Sequence, residues 1–216
     1  MARMRGKTSR QPKRAISPAL ILAVIGMSIL VVGGLIVLSG QFSQVDLSQF
    51  PVMGTPNAPI TMVEYSDYGC GHCQAFALET FPLLETDYID TGKVKFVVHP
   101  YYLGNPQMGQ ATQAAWCAAD QGKFFEYHHA LFEDVQATSS PETLIQLAAS
   151  LGLNRDTFAQ CLSSGQHYDD VEKARLAAEK RGVNSTPTFY INNRRVVGND
   201  FPQIQKIINQ QLGVTQ

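Results

Sequence analysis

The run Pro59 to Ser66 is apolar and β-branched, and it leads through Asp67 and Gly69 into Cys70-Gly71-His72-Cys73. A buried strand that turns into a helix opening on two cysteines constrains the fold more than any other feature. From Cys70 a helical pattern runs to about Asp90, with Ala75, Phe76, Leu78, Phe81, Leu84 and Tyr88 as apolar positions. Pro82 lies inside it and is expected to kink it. Gly92 to Tyr102 reads as a second strand, closed by Gly104 to Pro106. Strand, helix, strand in this order implies a parallel pair joined by a right-handed crossover.

A helical block comes next. Met108 to Gln121 is Ala-rich around Trp116, and Phe124 to Val135 comes after Gly122. Ser139 or Ser140 caps the next helix, with Pro141 in its first turn and a stop at Gly152. Asn154 caps another, and Tyr168 to Arg181 is the last, stopped by Gly182. Thr188 to Ile191 is then a strand, Asn192-Asn193 suits a tight hairpin turn, and Arg194 to Val197 returns. Phe201 to Leu212 closes the chain as a helix. The class is α/β, in the order β-α-β, helical block, β-β-α.

The N-terminal part is of another kind. Arg3, Arg5, Lys7, Arg10, Lys13 and Arg14 precede an uncharged apolar run from Ala19 to Leu38. That run is about the length a helix needs to cross a hydrocarbon core. The basic flank is expected to stay cytoplasmic, which places the chain after Gly40 on the outer side. A cleaved signal peptide would carry a shorter apolar core and small residues at its cleavage site, and Val37 to Gln44 is a poor site of that kind. The expected organisation is a basic tail over 1–18, a single membrane anchor over 19–39, a polar tether over 40–56 and the folded domain over 57–216.

Charge narrows the partners. Six of the 17 Lys+Arg lie in the basic tail, so the rest carries 11 against 18 Asp+Glu, about −7. That balance argues against nucleic acid. No nucleotide, flavin or metal motif is visible, so no bound cofactor is expected. The four cysteines, Cys70, Cys73, Cys117 and Cys161, form an even set in an oxidising compartment, where disulfides persist. A second, structural disulfide between Cys117 and Cys161 is expected on that ground; two buried free thiols are the alternative.

A C-x-x-C can hold a metal or shuttle a disulfide. Zinc wants four ligands, commonly two such pairs or cysteines with histidines at close spacing, and Cys117 and Cys161 are isolated within helical patterns. For disulfide exchange the placement is apt. Cys70 sits at a helix N-terminus, where free N–H groups and the helix dipole favour a thiolate. His72, from the same turn, adds to this when protonated. Cys73, one turn further in, is the expected resolving thiol. Glu64 lies within an apolar strand, where a carboxylate is costly. His128 and His129 are adjacent on a helix, and the simple reading is that one packs and one is solvated. Phe124, Phe125, Tyr127, Leu131 and Phe132 read as core.

The segments Ala58 to Cys73, Ala114 to Phe132 and Val183 to Gly198, together with Thr186-Pro187 far downstream of the C-x-x-C, resemble thioredoxin-fold thiol oxidoreductases. The helical insert, about 105–181, makes the chain similar to the DsbA family, in particular its membrane-anchored bacterial members. The resemblance implies a thioredoxin-like fold with an inserted helical subdomain, preceded by one N-terminal transmembrane helix. It implies a redox pair, Cys70 and Cys73, spaced by Gly71 and His72. It implies that Glu64 accepts a proton from Cys73, the alternative being a water-facing structural acid. It also implies a cis Thr186-Pro187 bond beside the cysteines, against an ordinary trans turn.

The implied activity is oxidation of reduced exported proteins. Re-oxidation would come from a membrane quinone reductase of the DsbB or vitamin K epoxide reductase type. A stabilised thiolate stabilises the reduced form, so the expected potential is roughly −120 to −200 mV. Two alternatives stay open. One is an isomerase or a reductase fed by a membrane electron donor; the other is a non-enzymatic anchored binding domain whose cysteines are structural or hold zinc.

Overall fold

Ile60–Ser66 forms strand β2, and both of its faces are buried. This explains its nearly unbroken apolar and β-branched sequence, since a central strand has no solvent face to mark with polar residues. The structure is a computed structural model and describes residues 49–214 together with Met27 and Leu47. The tail expected over 1–18 and the anchor expected over 19–39 lie outside the described residues, apart from Met27. Among the described residues no helix is long and apolar enough to cross a membrane.

The sheet has five strands in the order β1-β3-β2-β4-β5. They are β1 (Val52–Met53), β2, β3 (Val94–Pro100), β4 (Thr188–Ile191) and β5 (Arg194–Val197). β2 and β3 run parallel, as the strand-helix-strand order implies, with Glu64 opposite Val98. β4 lies antiparallel on the other side of β2, with Glu64 opposite Phe189, and β5 returns from it as a hairpin. The turn between them places Asn192 at φ 50°, a conformation that asparagine tolerates better than most residues. β1 pairs antiparallel with β3, Val52 opposite Val97. The stretch read as a polar tether therefore joins the sheet at its end. Val52–Met53 is too short to show a period, and it is a strand because β3 has an edge to fill.

After β2 the chain runs through α1 (Gly71–Ala75), a π-helical stretch (Phe76–Thr80), α2 (Phe81–Leu84) and a second π-helical stretch (Glu85–Ile89). The helix does not end at Pro82. The Phe81 N–H donates to the carbonyl of Phe76, and the Asp90 N–H to that of Glu85, each five residues back. Extra residues in these turns absorb the position at which proline has no N–H to give. The Phe76 ring lies 4.5 Å from Phe189 and the Phe81 ring 5.0 Å from Phe96. Both contacts lie on the face of the sheet that carries Glu64.

The insert comprises α3 (Pro106–Ala119), α4 (Phe124–Glu133), a short 3-10 turn (Val135–Ser139), α5 (Pro141–Ser150), α6 (Arg155–Ser164) and α7 (Tyr168–Lys180). Pro106, read from sequence as part of a strand-closing turn, is the first residue of α3. Asn105 caps that helix through the Gln107 N–H, and a proline in the first turn removes only a donor that had no partner. Ser140 is the N-cap of α5, in a reciprocal capping box with Thr143. Tyr127, Leu131, Phe132, Leu144 and Phe158 fill the insert core. α8 (Phe201–Gln211) closes the domain, burying Ile204, Ile207 and Ile208.

Candidate active site

Cys70 is the N-cap of α1, and its carbonyl receives the N–H groups of Cys73 and Gln74, both at 3.0 Å. The turn before it is tied by Asp67. One carboxylate oxygen takes the Gly69 N–H and the other the Leu103 N–H, each at 2.7 Å. The Cys70 N–H donates to the Asp67 carbonyl at 3.0 Å. Asp67 thus fixes the approach to Cys70 from both sides, a role that sequence reading did not assign to it. An aspartate two residues before a glycine at a strand end is a turn signal, but its long-range bond to Leu103 is not legible locally.

The two cysteines are free thiols of unequal access. Cys70 is partly exposed, whereas Cys73 is 0 % exposed. Burial pushes the Cys73 thiol far up from its ordinary range, and the neighbouring Cys70 and Glu64 add to the rise. Gly71 and His72 between them are exposed. A side chain at Gly71 would meet nothing within 4 Å.

The thiol of Cys70 does not cap its own helix. It donates to the carbonyl of Thr186 at 3.4 Å, and the Thr186-Pro187 bond is cis. The Thr186 hydroxyl oxygen is buried with no partner among the described residues. The fold therefore brings Cys70, Cys73, Thr186 and Pro187 to one place, from two segments far apart in the chain.

Glu64 lies behind them at 1 % exposure. Burial raises its carboxyl to about 8, opposed by the Ser66 hydroxyl on the same strand face. At neutral pH it is mostly protonated. Its Oε1 has no partner among the described residues, and its Oε2 lies 3.9 Å from Nε2 of His128. His128 is itself buried, and burial, helped by the charge of His129, lowers it to about 3. Its Nδ1 is hydrogen-bonded to the Tyr68 hydroxyl at 2.8 Å. His129 instead lies on the outer side of α4, 3.6 Å from Glu133. One histidine packs and one is solvated, as the sequence suggests, but the packed one faces the buried acid.

Cys117 on α3 and Cys161 on α6 are joined, with a Cα–Cα distance of 5.9 Å. His167 lies beside them, 2.7 Å from Asp120. Among the described residues this is the only group of three side chains placed to share a metal ion, and two of its sulfurs are already bonded to each other.

Comparison with known proteins finds relatives over most of the domain. The family model Thioredoxin_4, described as thioredoxin, matches residues 48–210. Disulfide bond formation protein D of Bacillus subtilis is 32% identical over 172 residues, covering 75% of this chain and 77% of that protein. The crystal structure of oxidised BdbD from Bacillus subtilis superposes with a TM-score of 0.71 at 29% identity, over 78% of this chain and 95% of that one. That of Wolbachia pipientis α-DsbA1 gives a TM-score of 0.71 at 26% identity, over 79% and 94%. With an accessible thiol at a helix N-cap, a buried thiol one turn on and relatives of this kind, the chain belongs to the DsbA-like group of the thioredoxin family, the protein thiol-disulfide oxidoreductases.

Proposed function

We propose that this oxidoreductase is a membrane-anchored, extracytoplasmic oxidase that introduces disulfides into exported proteins through Cys70 and Cys73. The observation that carries the reading is the asymmetry of the pair. Only Cys70 is accessible, so a client thiolate attacks its sulfur. The Cys70–Cys73 bond breaks and its electron pair leaves on Cys73, inside the domain and beside a protonated Glu64. The Glu64 carboxyl supplies the proton that the departing thiolate needs. A second client thiolate then attacks the client sulfur of the mixed disulfide and releases Cys70. The client loses two electrons, and the enzyme holds them as two thiols.

The carbonyl of Thr186 and the turn at Pro187 form the rim on which an extended client segment would lie beside Cys70. The apolar run over 19–39 with its basic flank supports the anchor and the orientation. Re-oxidation is assigned to a membrane quinone reductase of the DsbB or vitamin K epoxide reductase type. The test is the redox equilibrium of the Cys70–Cys73 pair against glutathione, followed by thiol trapping. A potential above roughly −200 mV supports an oxidase, and one near about −270 mV reverses the direction to a reductase.

A further inference from the structure

β3 offers Glu64 only Val98 and β4 only Phe189, so the neighbouring strands give this buried acid no polar group, and within β2 only the Ser66 hydroxyl acts on it. The polar group that reaches it comes from the insert. His128 on α4 places Nε2 at 3.9 Å from Glu64 Oε2, and its other nitrogen is held by Tyr68 at 2.8 Å. The ring is further fixed by Phe124, stacked on it at 5.4 Å, and by Phe132, edge-on at 5.1 Å. With one face stacked, an aromatic edge beside it and one nitrogen held, the free nitrogen of His128 is the one turned to Glu64.

We propose that His128, oriented by Tyr68, is the positioning residue through which Glu64 is re-supplied with the proton it gives to Cys73. The inference rests on the reading of Glu64 as proton donor to the departing Cys73 thiolate.

The step balances as a tautomer exchange. When Glu64 has given up its proton, its carboxylate faces the Nε2–H of His128, and the 3.9 Å gap is of the kind that tightens as charge develops. His128 passes that proton to Glu64 and takes the Tyr68 hydroxyl proton at Nδ1, moving from one neutral tautomer to the other. A water hydrogen-bonded to the Tyr68 hydroxyl gives it a proton as it gives up its own, so no buried tyrosinate forms, in keeping with a phenol that burial holds protonated. The net result is one solvent proton delivered to Glu64. No imidazolium needs to be populated, in keeping with a ring whose burial disfavours the charged form.

Tyr68 and His128 also line a cavity of about 10 Å³ shared with Ser66 and His99, close to the smallest space that admits a water. Nε2 of His99 is buried without a partner among the described residues. In this proposal the cavity holds the water that exchanges protons with Tyr68. The titratable groups around this relay are Cys73 from α1 beside Glu64, Asp67 and Tyr127 beside Tyr68, and His99 from β3 in the shared cavity, while His129, on the outer side of α4, acts on His128 through its charge.

The experiment is oxidation of a reduced two-cysteine peptide by the full-length chain between pH 5 and 9, over repeated turnovers with oxidised glutathione as the re-oxidant. The parent is compared with Glu64→Gln, His128→Leu and Tyr68→Phe. The parent is expected to show a titration step that Glu64→Gln removes. Removing its polar partner desolvates Glu64 further, so His128→Leu moves that step upward by about half a unit or more. It also slows the reaction several-fold toward pH 9, where solvent protons are scarce and re-supply of Glu64 is the function lost. Tyr68→Phe keeps the packing and is expected to move the step in the same direction by less, so the proposal stays testable even if the histidine variant folds poorly.

If Glu64→Gln removes the step while Tyr68→Phe and a folded His128→Leu leave its midpoint where it was, the relay is wrong and the Glu64 reading stands. If Glu64→Gln itself keeps the parental profile, both are wrong. A uniform loss of rate with an unmoved midpoint marks a merely structural role and also overturns the proposal.

Discussion

Cys70 and Thr186 stand 116 positions apart in the chain, yet the thiol of one donates to the carbonyl of the other at 3.4 Å. Cys73, three residues further on, is fully buried. Trapping with an alkylating reagent on the folded, reduced protein is therefore expected to label Cys70 at least about tenfold faster than Cys73, because Cys73 is both inaccessible and held as a thiol by burial. Cys70→Ser is expected to lose client oxidation by about a thousandfold or more, since Cys73 is buried and the other two cysteines are bonded to each other. Cys73→Ser is expected to hold clients as mixed disulfides on Cys70, visible on non-reducing gels. A Cys70→Ser variant that oxidises a reduced peptide at the parental rate would remove Cys70 from the mechanism.

Three buried groups set the pH dependence of stability. Glu64 is raised from 4.5 to about 8, His128 is lowered from 6.5 to about 3, and His99, mainly by burial, from 6.5 to about 4. Between pH 3 and 6.5 the unfolded chain holds protons on the two histidines that the folded chain has shed, so stability rises with pH. Between 4.5 and 8 the folded chain holds a proton on Glu64 that the unfolded chain has lost, so stability falls. Below 6.5 two histidines outweigh one acid; above it only the acid acts. The contribution of these groups is greatest near pH 6.5, declines to pH 8 and then levels off. Urea midpoints at pH 5, 6.5 and 8 test this: Glu64→Gln is expected to abolish the decline above 6.5, and His128→Leu to weaken the rise below it. A parent whose midpoint climbs steadily to pH 8 would show that Glu64 is ionised in the folded state.

The parts of this site visible in sequence are those that break a local rule. Glu64 is a carboxylate in an apolar strand, Cys70 and Cys73 open a helix, and Thr186-Pro187 precedes a strand. Each conflicts with simple patterning at its own position. His128 breaks no local rule. On α4 it is one of two adjacent histidines, and its meaning depends on α4 meeting the end of β2, which is a tertiary fact. The same holds for Val52–Met53, which are strand only because β3 has a free edge, and for Asp67, whose second bond reaches Leu103. Pro82 is legible as a disturbance inside a helix running to about Asp90, but not the form it takes, a π-helical turn on either side.

The Cys117–Cys161 bridge ties α3 to α6 across a separation of 44 residues. On the chain-entropy account, closing a loop of that length contributes about 3–4 kcal/mol. A Cys117→Ala/Cys161→Ala double variant is expected to lose that stability in urea while keeping client oxidation at temperatures where it is still folded, because Cys70 and Cys73 lie outside the bridge. Loss of oxidation in a fully folded double variant would mean that the bridge takes part in the redox chemistry.

The start of the folded domain is set by Phe50. Its ring is buried, lies 4.3 Å from the His99 ring and stacks at 6.3 Å on Trp116, so it covers the side of β3 next to the active-site end. The Val98 N–H donates to the Pro51 carbonyl at 3.1 Å, and Val52–Met53 then extends the sheet. A fragment beginning at Asn57 loses the ring, this hydrogen bond and the strand. Replacing a buried Phe alone typically destabilises by about 3–5 kcal/mol through lost transfer energy and the cavity left behind. The fragment from Asn57 is therefore expected to unfold at clearly lower urea than one beginning at Leu47, and Phe50→Ala in the longer fragment is expected to account for most of the difference. His99 also gains solvent in both, which relaxes the burial that holds it neutral, so its titration is expected to move back toward 6.5. Proton NMR of the imidazole signals reads that shift directly. Equal midpoints for the two fragments would return residues 49–56 to the tether.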